Sequence, residues 1–132
     1  MRLFSSDLRQ LVAVAALCLP AAAYAGSKDY QLQLVDTAVA QGPDAVIAVR
    51  LIDKRTEKPV EDAVIFATRL DMAPEGMEAM TTRIEPMPSQ ETGIYRFKTN
   101  LSMEGGWRLK LAMKVQGELE TVQGELVLQA KP

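Results

Sequence analysis

The sequence predicts an all-β chain, an immunoglobulin-like antiparallel β-sandwich of about seven strands, and three features carry that expectation. Apolar and polar residues alternate with a period of two from Tyr30 onward. Turn signals recur about every 8 to 12 residues. No amphipathic helical period follows the first 25 residues.

The predicted fold starts behind a leader. Arg2 and Arg9 flank a polar start, Leu11 to Leu19 is an apolar run, Pro20 interrupts it, and Ala23-Tyr24-Ala25 is a small-x-small cleavage site. This is the pattern of a secretory signal peptide cleaved after Ala25, which leaves residues 26–132 as one domain. The leader's apolar run is too short to span a bilayer, and no other stretch approaches the roughly 20 apolar residues a spanning helix needs. A periplasmic product without a membrane span is therefore expected. Cys18 lies inside the leader behind Leu17, whereas a lipidated cysteine normally follows a small residue, so the cleaved chain has no cysteine and no disulfide.

In the domain, Tyr30, Leu32 and Leu34 alternate with glutamines and read as a half-buried first strand. Gln41-Gly42-Pro43-Asp44 is a turn, after which Ala45 to Asp53 carries Ile47, Val49 and Leu51 on one face. Lys54 to Glu61 is a charged connection, and Ala63 to Met72, almost continuously apolar, reads as a central strand. Glu91-Thr92-Gly93 opens a strand with Tyr95 and Phe97 alternating, and Met103-Glu104-Gly105-Gly106 is a turn. Trp107, Leu109, Leu111, Met113 and Val115 then alternate strictly with Arg108, Lys110, Ala112, Lys114 and Gln116. That period marks Met113 and Trp107 as core residues. Leu119 to Gln129 is the last strand, with Gly124 a candidate bulge.

Composition removes several function classes. Without Arg2, Arg9 and Asp7, the 15 basic and 17 acidic residues become 13 and 16, a net charge of about −3 with the signs interspersed. Nucleic acid and anionic membrane surfaces are poor partners for such a surface. The chain has no histidine, so Ser-His-Asp and Cys-His catalysis and imidazole metal sites are out of reach, and no enzyme is expected. Glu118 and Glu120 would share one strand face and read as a solvated charged face rather than an acid/base pair.

The chemistry that remains is concentrated between Leu70 and Pro88. Four of the seven methionines, Met72, Met77, Met80 and Met87, lie there among Pro74, Gly76, Pro86 and Pro88, residues of loops and edge strands. Thioethers are soft, neutral donors suited to Cu(I) or Ag(I) and weak for harder ions. The spacing Met72-x4-Met77-x2-Met80 lets one loop gather three sulfurs as metal ligands. Met87, Met103 and Trp107 join that site only if the fold brings their segments to it. The same methionines can instead form an adaptable patch for a protein partner, a non-metal interaction module.

The run Asp71-Met72-Ala73-Pro74-Glu75-Gly76-Met77-Glu78-Ala79-Met80, followed by Gly93-Ile94-Tyr95-Arg96-Phe97, Gly106-Trp107-Arg108-Leu109 and Lys114-Val115-Gln116-Gly117, resembles the YtkA-like/FixH-like family of small exported β-sandwich domains. The resemblance extends from about Tyr30 to Leu128 and is most specific at the methionine run. It implies an accessory role in copper or heavy-metal handling, with Met72, Met77 and Met80 at the matching positions, beside a periplasmic adaptor of an efflux pump or another envelope protein. FixH proper is similar to a membrane-anchored protein, so loss of the leader points to the soluble, efflux-associated branch.

Overall fold

The computed structural model describes residues 28–132. The expected signal peptide and its Ala25 cleavage site lie outside the described residues.

Two sheets form the expected immunoglobulin-like sandwich. The first has the order β1 (Tyr30–Leu34), β3 (Gly42–Asp53), β8 (Ile94–Leu101), β7 (Ile84–Met87), with the two-residue β4 (Lys58–Pro59) also on β3. The second has the order β2 (Ala38–Ala40), β10 (Val122–Lys131), β9 (Gly105–Lys114), β5 (Val64–Met72), β6 (Met77–Thr82). All ladders are antiparallel except the short pairing of β2 with β10. Among the described residues ten strands are present against the expected seven or so, and β2, β4, β6 and β7, which the alternation does not mark, are short or at the sheet margins, where little periodicity is needed to hold them.

The core is built by the period-two faces. Trp107, Leu109, Leu111, Met113 and Val115 are all buried, and they meet Ile47, Val49 and Leu51 of β3 and Phe97 and Leu101 of β8. Full burial of each of the larger side chains stabilises the fold by about 2 to 3 kcal/mol. Met113 and Trp107 are thus core residues, as their alternation implied.

Three expectations change. The apolar continuity of β5 does not come from two covered faces: Val64 and Phe66 are exposed, and the register against β9 shifts between Ile65 and Ala67. An extra residue in the strand turns Phe66 outward. Gly124 is not a bulge, because it stays in continuous register opposite Leu111. A Cβ there would meet Leu32 Cδ1 at 2.4 Å, so glycine at 124 leaves the slot that Leu32 of the facing sheet occupies. The last strand starts at Val122 rather than Leu119, since Glu118 N–H donates to Val115 O at 3.0 Å and closes a turn that leaves Leu119 in solvent.

Glu118 is not simply solvated. Its Oε2 accepts from the Tyr30 hydroxyl at 2.7 Å and from Arg55 Nη2 at 2.8 Å, and Arg55 also donates to Asp53 and to the Tyr30 oxygen. The guanidinium lies 5.4 Å from the Tyr30 ring centroid. One edge of the first sheet is thereby pinned to the β9–β10 turn.

Candidate functional site

The methionine segment is a hairpin rather than a loop. β5 ends at Met72, Ala73–Glu75 makes one 3-10 turn with Pro74 near its start, and Gly76 closes it at φ 75°. That left-handed backbone suits glycine, and the Gly76 N–H donates to Ala73 O at 2.9 Å. β6 then returns along β5. β7 follows on the other sheet, where Pro86 opposite Phe97 sits on a margin strand that does not need its missing N–H.

Register decides which thioethers meet. Met72 and Met77 are directly opposite partners, and the next pair is Asp71 with Thr81, so residues 78–80 bulge out of the ladder. Directly opposed side chains share a face and lie within contact range. Met72 is wholly buried, Met77 is 37% exposed, and Met80 is half-buried against the core. The hairpin therefore opposes two of the three predicted ligands and sets Met80 on the adjoining bulge. Met72, at the end of its strand, is a wholly buried core side chain, and of the three only Met77 is exposed.

The remaining candidates separate. Met87 is on β7 opposite Arg96, in the other sheet. Met103 is 39% exposed on the turn between β8 and β9. Trp107 is buried, and its indole N–H donates to Met103 O at 3.1 Å, so its ring face is committed to the core. Among the described residues, no three His, Cys, Asp or Glu side chains gather, and no helix is long and apolar enough to cross a membrane.

A polar clamp that sequence reasoning missed holds the hairpin. Asp71 is completely buried, and its carboxylate accepts from Arg108 Nη2 at 2.8 Å, Arg69 Nε at 2.8 Å and the Ala73 N–H at 3.0 Å. Burial pushes this carboxyl up, but the hydrogen bonds from Arg108, Ala73 and Arg69 outweigh it and hold it at about 2. Arg108 also donates to Glu78 at 3.1 Å, and Arg69 donates to Glu78 O at 2.9 Å. Glu75 Oε2 accepts the Gly106 N–H at 2.7 Å, which ties the 3-10 turn to β9. The Arg108 Nε is buried without a partner among the described residues, so the clamp is strong but incompletely satisfied. Asp71 opens the methionine run, but no local signal marks its burial, because its partner Arg108 lies 37 residues away.

Fold and site together define a small two-sheet β-sandwich domain with a clamped methionine hairpin at one end. Residues 24–112 match the YtkA-like family, and the chain belongs to that family. The match ends within β9, short of the Leu128 limit expected from the sequence motifs. No match was found among curated protein sequences. Among solved structures, the chain is similar to the Lin-41 filamin domain, at 18% identity and TM-score 0.46 over 80% of this chain and 94% of that one. It is also similar to the ZirS C-terminal domain, at 12% identity and TM-score 0.42 over 99% and 88%. A third is a conjugative transposon lipoprotein from Bacteroides eggerthii, at 11% identity and TM-score 0.34 over 77% and 98%.

Proposed function

We propose that this YtkA-like domain is an exported periplasmic accessory protein that captures and hands over a soft monovalent ion, Cu(I) in the cell and Ag(I) as its surrogate, through Met72, Met77 and Met80. The observation that carries this reading is the direct opposition of Met72 and Met77, with Met80 three residues further along the same strand as Met77. The donor chemistry fits such an ion: thioethers are soft and uncharged, and they exchange ligands without taking up or releasing a proton. The rigid clamp on one side and the exposed Met77 on the other suit binding with subsequent transfer to a partner. The reading is one of binding, not catalysis.

The test is anaerobic Cu(I) titration of the purified protein against a competing chelator, beside the Met72/Met77/Met80→Leu triple variant. Leucine keeps apolar bulk and removes the sulfur. Stoichiometric binding lost in the variant is the expected result. Binding equal in both, or absent in both, sinks the reading.

A second reading is favoured by the position of β6 as the outermost strand of its sheet, with Met77 exposed upon it. There the hairpin docks an efflux-pump adaptor or another envelope protein through apolar contact. The leucine variant retains that contact, so the same protein pair separates the two readings.

A further inference from the structure

Met103 is 23 residues beyond Met80 in the chain, yet its turn is fastened to the methionine hairpin. Gly105, two residues on, abuts Met72: a Cβ at 105 would lie 3.3 Å from Met72 Cε and 3.1 Å from Glu75 Oε2. The Gly106 N–H bond to Glu75 holds the turn against the 3-10 segment. The Trp107 indole fixes the backbone of residue 103 through Met103 O. The β5–β9 ladder ends with Asp71 opposite Arg108, so Met72 lies one residue past it, at the end of β5 beside the start of β9. Met72 is therefore bracketed by Met77 across the hairpin and by the turn that bears Met103. Among the described residues, Met77 and Met103 are the two methionines that are exposed, at 37% and 39%.

We infer that Met103 is a further thioether donor of this site, so that a soft monovalent cation enters between Met77 and Met103 and meets Met72 behind them. This rests on the metal-handling reading above. A site shared by two turns places the adaptable, unbranched side chains at its mouth and the buried one at its floor, which lets the mouth reshape while the floor stays fixed. Thioethers do not neutralise a cation, and the Glu75 carboxylate beside Gly105 and Met72 supplies the compensating charge.

The experiment follows the S-methyl resonances of the purified protein labelled with 13C-methyl methionine as Ag(I) is added, each resonance assigned by its Met→Leu variant. The Met72, Met77, Met80 and Met103 methyls are expected to shift together, with Met87 still. Met103→Leu is expected to weaken Ag(I) binding about tenfold or more, while Met87→Leu leaves it unchanged. A still Met103 methyl, or a Met103→Leu variant that binds like the wild type, overturns Met103 as a donor. If Met72 and Met77 respond in that case, the metal-handling reading survives. If no methyl responds to Ag(I), that reading falls and this inference falls with it.

Discussion

Arg108 Nη2 donates to the buried Asp71 carboxylate at 2.8 Å from the position directly opposite it on the β5–β9 ladder. A pair so placed does two things at once. Together with Arg69 it neutralises a charge that the sheet buries, and it fixes the end of β5 from which the methionine hairpin departs. Removing one partner strands the other in a site of low dielectric, so the loss exceeds the net worth of the pair.

Asp71→Asn is expected to destabilise the domain by about 3 kcal/mol at neutral pH, read from urea unfolding. The carboxyl is held at about 2 against an ordinary 3.8, so its folded-state value is depressed. Its contribution is then fully present above the ordinary value and is lost as pH falls toward about 2. The difference between wild type and Asp71→Asn should narrow over that acid window. A difference that stays constant from neutral pH down to 2 contradicts the assignment.

Tyr30 gives the opposite sign. Burial first, then the hydrogen bond to Glu118, pushes its phenol from 10.0 up to about 12. Stability from the neutral phenol is present below pH 10 and is lost as pH rises through about 12. In an ultraviolet titration of phenolate absorbance, Tyr30→Phe should remove the latest step. Retention of that step in the variant would assign it elsewhere.

Packing between the sheets is tested at Gly124. Gly124→Ala places a methyl against Leu32 Cδ1, the end of a side chain that can turn aside, and should cost about 1 kcal/mol. Leu32→Ala in the same chain frees that space, so the double variant should be less destabilised than the two single losses added together. Strict additivity in thermal or urea unfolding would mean that the two residues do not meet.

If thioethers carry the metal, Ag(I) affinity should stay nearly flat between about pH 5 and pH 8, because no donor titrates there. A rise in affinity across that range, followed with a competing chelator at fixed ionic strength, would show that a titrating group takes part and would contradict a site built of thioethers alone.

The sandwich was legible because burial alternates along a strand, and Trp107 to Val115 writes that alternation without interruption. The turn at Pro74 and Gly76 was equally plain, since each residue has a local backbone reason to be there. Margin strands such as β6 and β7 were harder to read. They bury little and tolerate Pro86, so their composition is that of a loop.

What the sequence by itself determined is the two-sheet class, the core face of β9 and the clustering of thioethers near residues 72 to 80, all set by short-range pattern and composition. Tertiary structure decided that Met72 is sealed while Met77 is open, that Asp71 lies inside a ring of arginine donors, and that Gly124 yields its place to Leu32. These outcomes depend on ladder register and on contacts between sheets, in which each side chain's surroundings come from residues distant in the chain. Period and propensity act along the chain and carry no record of which strand lies opposite.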